Sequence, residues 1–131
     1  MSSAWMELKA EVIAQYQQQK QLADAALAGI DDTAFFTHLK EGGDNHTNSI
    51  AILVKHLSGN LISRWTDFLT SDGEKADRQR PREFVAAASD TRAQLLERWE
   101  EGWHCLFTSL EALTEADFAK LPTPEDNGWE V

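Results

Sequence analysis

Four side chains able to do chemistry recur at helical spacing in one stretch: His56, Asn60, Arg64 and Asp67. At about 100° per residue they fall together on one flank of a helix. An imidazole can ligate a metal or carry a proton, and an amide with a guanidinium can hold an anionic substrate. Each also has a plainer use. One histidine beside an apolar stripe is commonly a hydrogen-bonded structural residue. Arg64 and Asp67 at i, i+3 can form a surface ion pair worth about 0.2–0.5 kcal/mol.

The other candidates are more scattered. His38 lies near the end of a short helical segment and His46 in a Gly-Asp-Asn loop. His104 and Cys105 are adjacent, so on a helix they diverge by about 100° and do not chelate together. Cys105 sits among aromatics and reads as a buried thiol before a nucleophile. The chain contains neither H-x-x-x-H nor H-E-x-x-H. The loop carrying Asp72, Glu74, Lys75, Arg78 and Arg80 is densely charged, which suits either function or salt bridges between helices.

The elements that must position these groups are helices. Ile50, Leu53, Val54, Leu57, Leu61, Trp65 and Phe68 fall on one face of a helix running from 48 or 49 to 69, with Lys55, Gly59 and Thr66 opposite, towards solvent. Asn45, Thr47 and Asn48 are its candidate caps. A first helix over 3–28 presents Trp5, Leu8, Val12, Ile13, Tyr16, Leu22, Ala23, Ala26 and Leu27, and Gly29 stops it. Asp31 or Asp32 caps a short segment over 33–39. A weak helical pattern over 84–88 leads into a third long helix over 90–113, with Ser89 as its cap. Its apolar face is Leu95, Leu96, Trp99, Trp103, Leu106, Phe107, Leu110 and Leu113. Thr114 and Asp117 have capping-box spacing and open one more turn through 120, before Pro122 and Pro124 end regular structure. The expected organisation is one helical domain over 1–121 and an irregular tail over 122–131.

Composition narrows the function classes. A chain of 131 residues suits one domain with a real core. A formal net charge of −10 opposes binding to nucleic-acid phosphates. One cysteine allows neither an internal disulfide nor a thiolate zinc cluster, which fits a reducing compartment. The N-terminal residues lack the pattern of a signal peptide, and no apolar run is long enough for a membrane span. The expected setting is cytoplasmic, with no nucleic-acid or membrane partner.

The string NSI…KHL.GN..SRW.DFL..DGEK, from Asn48 to Lys75, closely resembles the signature of an uncharacterised bacterial branch of the DinB-like superfamily. The block from Trp99 to Phe118 and the segment around Phe35 resemble the same branch. The resemblance implies an up-down four-helix bundle, often dimeric, in which three histidines bind a divalent metal, nickel or zinc. It also implies metal-dependent hydrolases, or transferases and isomerases acting with low-molecular-weight thiols. By position the family's second-helix ligand falls on His56, with Asn60 and Arg64 lining a substrate pocket. The other two ligands belong to an H-x-x-x-H pair on a fourth helix, and this sequence has no such pair.

The expectation is therefore an all-α, DinB-like helical bundle with three long helices in this chain and the fourth missing, paired as a homodimer that covers the leftover apolar faces. Two functions remain open. One is a metal-dependent enzyme, of hydrolase or thiol-transferase type, whose metal site is incomplete in this chain. The other is a metal-free, catalytically silent dimer with a structural or interaction role.

Overall fold

The computed structural model describes residues 3–38, 49–70, 80–83 and 89–119. They form six helices and no strand: α1 Ala4–Ala28, α2 Asp32–Phe36, α3 Ile50–Trp65, α4 Arg80–Glu83, α5 Arg92–Ala112 and α6 Glu115–Ala119. The all-α bundle follows from the sequence pattern, with α1, α3 and α5 as its long members.

Short polar side chains start these helices. Ser3, Asp31, Ser49 and Thr91 each accept a hydrogen bond from the backbone N–H three residues on. Each answers a donor that the first turn cannot pair internally, for about 1 kcal/mol. The cap of α3 is thus Ser49, while Asn45, Thr47 and Asn48 lie outside the described residues. The cap of α5 is Thr91 rather than Ser89, so the helix starts two residues after the expected boundary. The capping box at α6 forms in both directions, Thr114 Oγ1 accepting from Asp117 N–H at 3.1 Å and the Asp117 carboxylate accepting from Thr114 N–H at 3.2 Å.

Side-chain ties fix the helix directions. Lys9, near the start of α1, donates to the carbonyls of Glu111 and Leu113 at the end of α5. Arg92, at the start of α5, donates to the Leu27 carbonyl at the end of α1. The two helices are antiparallel. Along α3, Lys55 pairs with Asp90 just before α5, whereas Ser109 donates to the carbonyl of Trp65. Helices α3 and α5 therefore run in the same sense, and the chain must return between them. Helix α4 lies on that return and packs against α3.

The core joins Ile13 of α1, Phe35 of α2, Ala51 and Val54 of α3, and Leu95, Trp99, Trp103, Leu106 and Leu110 of α5. The expected face of α5 is confirmed. That of α3 needs correction. Leu53 and Leu57 are 43% and 45% exposed, while Ala51, Ile52, Ser58, Gly59 and Ser63 are buried. Gly59 and Lys55, expected on the solvent side, face α4 and the start of α5. The reason is helix approach: a Cβ on Gly102 would sit 3.0 Å from Leu61 Cβ and 3.3 Å from the Ser58 carbonyl. Small residues allow that closeness, and it is the close-packed face that excludes water.

A further boundary moves, and the face of α1 is narrower than expected. Helix α3 ends at Trp65 instead of 69, with Thr66 as C-cap and Asp67 at φ 50° turning the chain. On α1 only Ile13 is buried, and Leu8, Tyr16 and Leu22 are exposed. Residues 71–73 of the expected turn, most of the charged loop, the pattern at 84–88 and the tail from 122 lie outside the described residues.

Candidate functional site

Helix α3 carries the sequence's candidates on successive turns. Because 56, 60 and 64 are four apart and all inside the helix, His56, Asn60 and Arg64 share one flank. His56 and Asn60 are half-buried, and Arg64 is exposed. Asp67 leaves that flank, since the helix has ended before it.

What the sequence reading missed is Glu83. It is buried, and its Oε1 lies 3.0 Å from His56 Nδ1, with the two side chains 9% and 24% exposed. Helix α4 brings the carboxylate across a separation of 27 residues. Gly59, one turn after His56, makes room for it: a Cβ there would run into the carboxylate, lying 2.7 Å from Glu83 Cδ. A glycine inside a helix costs roughly 0.5–1 kcal/mol relative to alanine, and here the missing side chain seats an acid. No periodicity in the sequence signals Glu83. A mid-helix glycine at i+3 from a histidine is the only hint it offered.

An ionised Glu83 accepts hydrogen bonds, so the imidazole tautomer that suits this contact is the one with its proton on Nδ1. Such backing is what metal-ligating histidines usually have, because it fixes the ring and raises its basicity. His56 therefore suits one coordination position. Stable divalent sites usually need three or four protein ligands, and among the described residues no three His, Cys, Asp or Glu side chains converge to hold a metal ion.

Of the remaining candidates, three fall on described residues of other elements. His38 is exposed just past the end of α2, and His46 lies outside the described residues. His104 is exposed on α5, 3.4 Å from Thr108 Oγ1. Cys105 is half-buried and accepts from Thr66 Oγ1 at 3.8 Å, across the α3–α5 seam.

A second feature lies on another part of α3. Leu53, Val54, Leu57 and Ile50 line an apolar groove of about 310 Å³ with Ala23, Ala26, Leu27 and Ile30 of the α1–α2 corner. Trp99 contributes to its lining, and its Nε1 donates to Asp24 at 2.9 Å.

An all-α bundle with a carboxylate-backed histidine on its second long helix is the class these observations define. Residues 2–123 match a family described as protein of unknown function, DUF1572, and the chain belongs to it. No curated protein and no solved structure matches the chain. No helix among the described residues is long and apolar enough to cross a membrane.

Proposed function

We propose that this DUF1572 chain is a DinB-like, metal-dependent enzyme of hydrolase or thiol-transferase type. In this reading His56 is one ligand of a divalent nickel or zinc ion. The observation that carries it is the buried Glu83 carboxylate held against His56 Nδ1. The remaining ligands come from residues beyond the described ones or from a second copy of the chain. When bound, such a metal lowers the pKa of a coordinated water or thiol into the neutral range. Asn60 and Arg64, on the next two turns, receive a small-molecule substrate, the guanidinium serving an anionic group such as the carboxylate of a low-molecular-weight thiol.

Elemental analysis of protein purified without added metal tests this. Near-stoichiometric nickel or zinc is expected, lost in His56→Ala. A metal-free wild type that binds neither ion at micromolar concentration sinks the enzyme reading.

The apolar groove favours a second reading, a metal-free, catalytically silent homodimer with a structural or interaction role. Leu53 and Leu57 are large, exposed and contiguous with the groove, and apolar surface of this kind is commonly covered by a partner. Sedimentation should then show a dimer at micromolar concentration that Leu53→Lys dissociates. A wild-type monomer under those conditions removes the reading.

A further inference from the structure

We infer that Glu83 is a positioning residue for His56, holding the ring proton on Nδ1 so that Nε2 is the basic nitrogen, and that Gly59 is the notch that makes this possible. The inference deepens the metal reading: it rests on that reading only for what Nε2 would hold, and its geometry stands without it.

Three observations converge on it. The Nδ1–Oε1 distance of 3.0 Å is a hydrogen bond, and an ionised carboxylate can only accept, so with Glu83 ionised Nδ1 carries the proton. Glu83 is almost fully buried, so its acceptor capacity has to be met inside the protein. His56 and Gly59 are three apart on α3, which puts the imidazole and the notch side by side under one acid. The arrangement contrasts with a solvent-exposed histidine, whose neutral ring in water favours the proton on Nε2. On this chain α4 reverses that preference.

A nitrogen donor with a settled tautomer is what a ligand site needs before the ligand arrives, because the ring then loses no freedom or proton arrangement on binding. One imidazole nitrogen is a single position in the shell of the divalent zinc or nickel ion that the proposed function invokes. Losing such outer-shell support commonly lowers metal affinity about 10–100-fold.

The test is a long-range proton–nitrogen NMR spectrum of the metal-free full chain, recorded at about pH 8.5, some two units above the usual histidine value. His56 is assigned by its loss in His56→Ala. The expected wild-type pattern is protonated Nδ1 and unprotonated Nε2. In Glu83→Ala and in Gly59→Ala the ring should shift to the Nε2–H form. Circular dichroism checks that each variant is folded. If a variant fails to fold, the wild-type spectrum still decides the matter, since an Nε2–H ring there overturns the inference. A folded Glu83→Ala with an unchanged tautomer overturns it as well.

Titrating zinc into the same samples separates the two claims. An Nδ1–H ring in a protein that takes up no zinc leaves the positioning intact and defeats the metal reading. Zinc uptake by a ring with its proton on Nε2 does the reverse. Where zinc binds, an affinity lowered about 10–100-fold in Glu83→Ala supports positioning, and an equal affinity counts against it.

Discussion

Helix α5 meets α3 at close approach through small residues, and meets α1 through a narrow apolar contact around Ile13 bridged by long polar side chains. Against α3, Gly102 sits so close to Leu61 and Ser58 that even a Cβ would crowd them. Ser58 is fully buried there, its hydroxyl bonded back to the Val54 carbonyl at 2.6 Å. Against α1 the direct backbone approach is sparse, and the helices are linked by outreached groups: Lys9 to the α5 C-terminus, Lys20 to Glu100, Asp24 to Trp99, and Arg92 to the Leu27 carbonyl. Arg92 also bonds Asp32 and lies 5.1 Å over the Phe35 ring, so one side chain gathers α1, α2 and α5. A seam built by backbone approach depends on volume. A contact built by polar reach depends on charge and tolerates rearrangement.

The largest expected effect breaks the comparison at its core. Leu106 is 1% exposed, so Leu106→Ala should cost about 2–5 kcal/mol. Leu8 of α1 is 51% exposed, and Leu8→Ala should stay within about 0.5 kcal/mol. Urea midpoints of the two variants measure the contrast, and equal losses would refute it. Next comes Gly102→Leu, which forces α3 and α5 apart and should cost about 1–3 kcal/mol despite leucine's better helix propensity. A variant as stable as wild type would mean the seam yields.

Two tryptophans sharpen the comparison at smaller scale. Both are buried on α5, but Trp99 donates to Asp24 while Trp103 Nε1 is buried with no hydrogen-bond partner. Trp99→Phe loses a hydrogen bond worth about 1 kcal/mol, whereas Trp103→Phe also removes a buried orphan donor. The Trp99 variant should be the less stable of the two by thermal unfolding.

The smallest effect is electrostatic. Burial disfavours the charged Lys20, but its hydrogen bonds and charge attraction to Asp24 and Glu100 outweigh this and raise its pKa above the ordinary 10.5. A raised folded-state pKa means stability that is fully present below pH 10.5 and lost as pH climbs through the raised value. Lys20→Met should therefore cost at most about 1 kcal/mol at neutral pH, less in high salt, and should flatten the alkaline limb of the stability curve.

The legibility of the sequence follows the same division. The face of α5 was readable because the helix is buried by large apolar residues at three- and four-residue spacing. That of α3 was misread because a hydropathy pattern rewards Leu53 and Leu57, whereas the packed face sets Ala51, Ser58, Gly59 and Ser63 beside Ile52 and Val54. Small residues carry little hydropathy signal, yet they set how closely two helices approach. Helix α1 looked amphipathic, but of its expected face only Ile13 is buried, and Leu8, Tyr16 and Leu22 stay exposed. For the site, the flank of His56, Asn60 and Arg64 was legible from period alone. Glu83 was not, because it joins that flank from another helix.

By itself, the sequence determined the helices, the caps at Asp31 and Thr114, the apolar face of α5 and the alignment of His56 with Asn60 and Arg64. All of these depend on groups within a few residues of one another, where backbone geometry sets the spacing. Tertiary structure alone decided which face of α3 is buried, the parallel course of α3 and α5, and the acid behind His56. Those depend on how closely separate helices approach and on where the return through α4 lands, which local periodicity does not encode.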